Sequence, residues 1–183
     1  MSLKQDEGGV LIERIDQQTG SDLRSQVAGI AAIADEIWRE HYIPLIGEAQ
    51  VSYMLAKFQS AAQIYTDITE NGYIYFTAKD TKQDQLVGYC AVAPADGYML
   101  LSKIYVRRDF RGNGAARRFL DEAIALCSSG DVFDRIRLTV NKHNDGSIAA
   151  YRKMGFNTVD SVKTDIGCGF YMDDYVMELA LLL

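Results

Sequence analysis

Apolar residues recur at helical spacing between Leu23 and His41, where Leu23, Val27, Ile30, Ile33, Ala34, Ile37 and Trp38 would share one face. Pro44 and Gly47 interrupt that run, since proline fixes φ and removes a backbone donor. A second helical stretch covers 51–69, with Met54, Leu55, Phe58, Ala62 and Tyr65 as its apolar positions, and Asn71–Gly72 closes it as a turn. Ahead of both, Val10–Ile15 reads as a first strand. After Gly72 the period shortens. Tyr73–Ala78, Leu86–Val92 and Tyr98–Val106 are rich in aromatic and β-branched residues, and the joints at 79–84 and 94–97 are polar or turn-forming. That pattern predicts an antiparallel meander of three strands. A glycine turn then opens a helix over Ala115–Cys127, with Ala116, Phe119, Leu120, Ala123, Ile124 and Cys127 on one side. Arg135–Val140 reads as a strand, Ser147–Met154 as a short helix, and Phe156–Val162 and Phe170–Leu181 as closing strands. The predicted order is β-α-α-β-β-β-α-β-α-β-β, an α/β fold with a mixed sheet.

Composition narrows the class only a little. A chain of 183 residues, 48% hydrophobic and 24% charged, fits a single globular domain over 1–183, with 1–9 as a flexible polar segment. The net charge of −6 argues against nucleic acid, whose phosphates would be repelled, and is compatible with a cationic acceptor. Cys90, Cys127 and Cys168 are scattered and odd in number, which fits a reducing compartment. His41 and His143 have no cysteine neighbours, so no metal is expected. Met1–Gly9 has no apolar signal core, and the apolar tail 179–183 is too short to span a bilayer. The expectation is a cytoplasmic, soluble protein without a membrane partner.

The stretch Ile104–Arg118 carries candidate chemistry. An apolar strand runs into Arg111-Gly112-Asn113-Gly114, which opens a helix at Ala115. Helix N-termini present unpaired N–H groups and partial positive charge, so they attract phosphate oxygens. Gly112 and Gly114 allow a tight turn and close backbone approach, Ala115 and Ala116 keep it open, and Arg111, Arg117 and Arg118 add positive charge. A Gly-x-Gly before a helix also serves as an ordinary tight connection, and arginines there are commonly solvated. No Gly-Lys-Ser/Thr follows, so this is not a nucleotide P-loop, and it lacks the third glycine of a dinucleotide fingerprint.

Arg111-x-x-Gly114-x-Ala116 after Ile104-Tyr105-Val106 resembles the acyl-CoA signature of the GNAT superfamily of N-acetyltransferases. A second matching motif follows: Asn144-x-x-Ser147-Ile148-x-x-Tyr151-x-Lys153-x-Gly155-Phe156, with Ser147 where alanine is common in the family. The resemblance covers roughly Leu86–Phe156 and implies a GNAT-like, mostly antiparallel sheet with helices on both faces. It implies acetyl-CoA as co-substrate, held by Ile104, Tyr105, Val106, Arg111, Gly112, Asn113, Gly114, Ala115, Ala116, Arg117 and Asn144. In this family the strands matching Tyr98–Val106 and Arg135–Val140 splay apart, and pantetheine lies between them. A neutral amine attacks the thioester directly, and Tyr151 occupies the position of the acid that protonates the departing thiolate. Read from the residues alone, Tyr151 could equally pack, and Asn144 could cap the helix that follows it.

The general base is open. Some relatives place a glutamate where this chain has Thr139, which cannot serve. Glu40, His41, Asp173 and Asp174 remain as candidates acting through water. Trp38, Tyr42, Tyr53, Phe58, Tyr171 and Tyr175 are candidate pocket walls, and the segment 165–175, with Gly167, Gly169 and paired Asp173-Asp174, is a candidate for holding a cationic amine. The expected activity is acetyl transfer to a small primary amine, such as a polyamine or an amino-acid-like compound. A protein N-terminus or lysine, and a non-catalytic acyl-CoA-binding role, are the alternatives. Dimers are frequent among relatives of this fold, so a homodimer is compatible with the resemblance.

Overall fold

The seven strands of the central sheet form in the order in which the alternating pattern places them, and they pair mostly as neighbours. The computed structural model describes residues 9–129 and 133–181; positions 1–8 of the expected flexible segment lie outside them. Strand β1 spans Val10–Ile15, followed by helices α1 (Leu23–Ile46), α2 (Glu48–Phe58) and α3 (Ala61–Thr69). Strands β2 (Ile74–Asp80), β3 (Gln85–Ala95) and β4 (Tyr98–Val106) are the predicted meander, and α4 (Ala115–Ser129) follows the glycine turn. Strand β5 (Arg135–Asn141), helix α5 (Asp145–Lys153) and strands β6 (Asn157–Gly167) and β7 (Phe170–Ala180) complete the chain. The sheet order is β1-β2-β3-β4-β5-β7-β6. Only the β4–β5 pairing is parallel; the other neighbours are antiparallel.

The expected pair of helices ahead of the meander is a set of three. Helix α1 runs through Pro44 to Ile46, and Gly47, at φ +82°, ends it by donating its N–H to the Ile43 carbonyl at 3.0 Å. Proline this near a helix end removes one intrahelical bond, and the last turn continues around it. The stretch 51–69 breaks at Gln59–Ser60, because Ser60 turns extended and its hydroxyl caps α3 by accepting from the Gln63 N–H at 3.2 Å.

Two apolar layers sandwich the sheet. Phe76, Cys90, Leu101, Ile136, Leu138 and Met177 pack against Phe119, Leu120 and Cys127 of α4 and Ile148 of α5 on one face. Tyr75, Tyr89 and Ala91 pack against Ile30, Ile37 and Trp38 of α1, Val51 of α2 and Ile64 of α3 on the other. Across the β3–β4 pair, Val92 faces Leu101 and Ala91 faces Lys103, so Ser102 of β4 is an extra residue that makes a β-bulge. Gly88 sits opposite Val106, and a Cβ there would come within 2.7 Å of the Tyr105 carbonyl oxygen, so only glycine lets β3 hold β4 this closely. Pairing of β4 with β5 ends at Leu100–Arg137, and beyond it the two strands part. The parting of β4 and β5 organises the site.

Candidate active site

Two cavities meet where β4 and β5 separate. The first, of about 480 Å³, lies along Ile104–Val106 and the turn after it, and includes Arg111, Gly112, Gly114, Ala115, Ala116 and Arg117 in its wall. Gly112 and Gly114 have φ of +82° and +81°, and a Cβ on either would meet nothing within 4 Å. The glycines are therefore required by the backbone, and the space beside them is open to a ligand. The Arg111 guanidinium donates from Nε to the Val106 carbonyl at 3.0 Å, which ties the turn back to the strand. Arg117 is exposed and paired with Asp121 at 2.9 Å. Arg118 differs from the expectation: it donates to the Val10 carbonyl of β1 and holds the sheet edge to α4. Asn113 is exposed at the tip of the turn and does not line the cavity.

Asn144 is 3% exposed, and its Oδ1 accepts from the Ser147 N–H at 3.3 Å and pairs with His41 Nε2 at 3.2 Å. The expected cap of α5 is present. The same oxygen also ties α5 to α1, while Asn144 itself lines neither cavity. His41 is well inside α1 rather than at its end, and it lines the first cavity. Burial and the nearby Arg111 cation lower its pKa below the ordinary histidine value, so it is neutral near pH 7.

The second cavity, of about 380 Å³, lies under α1–α3. Tyr42, Ile104, Tyr105 and Tyr151 line both cavities and mark their junction. Burial raises the pKa of Tyr151 well above the ordinary phenol value, with further contributions from Tyr42 and Cys90, so the hydroxyl keeps its proton. Its ring also meets Phe156 edge-on, with centroids 5.9 Å apart, so packing and junction placement coexist.

Of the four candidate bases, only Asp174 lines the second cavity. Glu40 is exposed beside Arg108. Asp173 pairs with Lys142, and alternation along β7 puts it on the opposite face from Asp174. Asp174 is 7% exposed, and burial raises its pKa to about 6, helped by the Asp173 charge and opposed by the Thr139 hydroxyl and Lys142. Thr139, unsuited as a base, lines the same cavity from the adjacent strand. Trp38, Tyr42 and Phe58 line the cavity as expected. Tyr53 instead donates to the Ile166 carbonyl at 2.5 Å, Tyr171 is exposed, and Tyr175 packs with the opposite core. Lys103 and Asp67, which the strand and helix patterns did not single out, form a buried pair at 3.1 Å in this cavity. A lysine inside the apolar run Met99–Val106 was the available signal.

The profile of the acetyltransferase (GNAT) family matches residues 30–156, more than half of the chain. No curated protein sequence gives a significant match. Among solved structures, the PaiA N-acetyltransferase from Thermoplasma acidophilum in complex with coenzyme A is 18% identical, with a TM-score of 0.73 over 93% of this chain and 98% of that one. Arabidopsis thaliana NAA60, in complex with a bisubstrate analogue, is 15% identical, with a TM-score of 0.63 over 94% of this chain and 98% of that one. At these identities the structures establish a shared fold, and the family profile establishes kinship. The chain belongs to the GNAT family of acetyltransferases.

Proposed function

We propose that this acetyltransferase moves an acetyl group from acetyl-CoA to the primary amine of a small molecule, a polyamine or an amino-acid-like compound, with Tyr151 as acid and Asp174 as base. The observation that carries the reading is the junction: Tyr151 lines both cavities, and Asp174 lies in the second. In this reading Ile104, Tyr105 and Val106 bind pantetheine through backbone groups freed by the parting of β4 from β5. The N–H groups of Gly112, Gly114, Ala115, Ala116 and Arg117, with the Arg111 charge, receive the diphosphate. Asn144 orders α5 and His41 around the cleft and is a positioning residue.

A neutral amine nitrogen attacks the thioester carbonyl carbon, and backbone N–H groups of β4 stabilise the oxyanion. Asp174 accepts the proton that nitrogen loses. As the C–S bond breaks, the Tyr151 phenol donates its proton to the thiolate, leaving an amide and CoA–SH. A pKa near 6 suits Asp174 to this task, because the carboxylate is mostly ionised at neutral pH yet basic for its type.

Fastening of α2 to the β6–β7 hairpin beside the second cavity supports a small acceptor over a polypeptide. Gln50 donates to the Tyr171 carbonyl at 2.7 Å, and Lys57 donates to the Ile166 carbonyl at 2.6 Å. With Tyr53, these bonds fasten α2 to the β6–β7 hairpin, and Gln50 and Met172 of these elements line the pocket. The test is release of CoA thiol from acetyl-CoA with a panel of small amines and an N-terminal peptide. Small-amine turnover is expected, and Tyr151→Phe should lower kcat by roughly 100-fold, within the range of general acid catalysis, without weakening acetyl-CoA binding. Turnover confined to the peptide, or unchanged in Tyr151→Phe when chemistry is rate-limiting, would contradict the proposal.

A further inference from the structure

The second cavity holds an ion pair that acetyl transfer does not require. Lys103 is 7% exposed, lies on β4 beside the parting of the strands, and lines the cavity. Its ammonium has three donors and, among the described residues, makes one hydrogen bond, to Asp67 Oδ2 at 3.1 Å. Asp67, by contrast, is saturated. It also accepts from Tyr75 at 3.0 Å, from Gln63 at 2.8 Å and from Asn71 at 3.4 Å. The rings of Tyr73 and Tyr75 approach Lys103 Nζ at 5.0 and 5.3 Å.

A second donor lines the same cavity. Gln59 Oε1 accepts from the Tyr89 hydroxyl at 3.2 Å, so its amide has N–H groups to offer a second partner, and Gln59 lines the same cavity. Asp174 provides the opposite pole. Side chains of β4 and β7 alternate, and Lys103 with Tyr105, and Asp174 with Met172, share the face under α1–α3. Lys103 lies on β4 past the last β4–β5 pair, and Asp174 lies on β7 opposite Asn141 of β5. The cation and the carboxylate thus line one cavity from strands on opposite sides of the gap.

We infer that the acceptor carries a carboxylate as well as an amine, and that Lys103 with Gln59 binds the carboxylate while the amine faces Asp174 and Tyr151. The inference rests on the transferase reading above and sharpens it: amino-acid-like acceptors fit both poles, whereas a polyamine would put a second ammonium against Lys103. An additional like charge in a buried pocket is repelled, and a charge-assisted bond lost from one strengthens the discrimination. Lys103 is a specificity-determining residue in this account and takes no part in proton transfer.

The experiment compares amines that differ by a carboxylate alone, lysine against cadaverine and ornithine against putrescine, by kcat/KM for CoA release. The acid of at least one pair should be preferred by about 10-fold or more, as expected for a buried charge-assisted hydrogen bond. Lys103→Met would strand Asp67 as an unpaired buried charge, so the informative variant is Lys103→Met combined with Asp67→Asn. In that protein the preference should fall towards unity while the Kd for acetyl-CoA is unchanged. Preference for the decarboxylated amines, rejection of every amine in the pairs, or a preference that survives in the double variant would overturn the inference, provided acetyl-CoA binds normally. Failure of the wild-type protein to bind acetyl-CoA would instead remove the transferase reading on which it rests.

Discussion

The two faces of the sheet are built to different ends. Under α4 and α5 the core is apolar and closely filled by side chains such as Phe119, Leu120, Phe156 and Met177. Under α1–α3 the same sheet buries Gln59, Asp67, Lys103 and Asp174 around a cavity. The second arrangement is expensive, since each buried polar group needs a partner and each buried charge loses hydration. One face supplies rigidity, and the other carries desolvated groups whose proton affinities have moved. The sequence order makes the division workable: β4 contributes Leu101 to the first face and Lys103 and Tyr105 to the second, so a single bulged strand joins core and site.

Substitutions on the two faces should therefore move stability in opposite directions. Phe119→Ala, on the apolar face, should destabilise the fold by about 3–5 kcal/mol, read from chemical denaturation, because it leaves a cavity in a filled core. A loss under about 1 kcal/mol would mean that this face is loosely packed and the contrast false. Asp174→Asn, on the polar face, should lower kcat by roughly 100-fold. With a weakly basic amine that stays unprotonated, wild-type kcat/KM should fall tenfold per pH unit below about 6, as Asp174 takes up a proton and can no longer accept one.

The smallest effect is the most diagnostic of the contrast. The pKa of Asp174 is raised from 3.8 to about 6 by folding, so the folded state carries a penalty that is full above pH 6 and gone below the unfolded value. Asp174→Asn removes that penalty. It should stabilise the protein by roughly 1–3 kcal/mol at pH 7.5, an advantage that shrinks as pH falls through 6. Equal stability of wild type and variant across that range would show that Asp174 is not strained by burial.

What was legible in the sequence was local. The glycine turn and the first residues of α4 read correctly because the φ requirement of Gly112 and Gly114 and the apolar face of Ala115–Cys127 are properties of neighbouring residues. The Asn144 cap read correctly for the same reason. What was not legible depends on partners far along the chain. Asp174 could not be told from Asp173 until β7 was set beside β5. Asp67 and Lys103 are 36 positions apart, and each alone looks like a solvated charge. Arg118 reaches back 108 positions to Val10, a contact that no helix pattern foretells. The helix that continues past Pro44 shows local preference overruled by a favourable last turn.

The central claim is that the turn after β4 holds the diphosphate of acetyl-CoA, and calorimetric titration of wild type and Gly114→Glu with acetyl-CoA tests it most directly. The account predicts saturable binding by the wild type that acetyl-CoA shows and ATP does not, and loss of binding in a folded Gly114→Glu protein. Undiminished binding in that variant, with a native circular dichroism spectrum and melting transition, would contradict it.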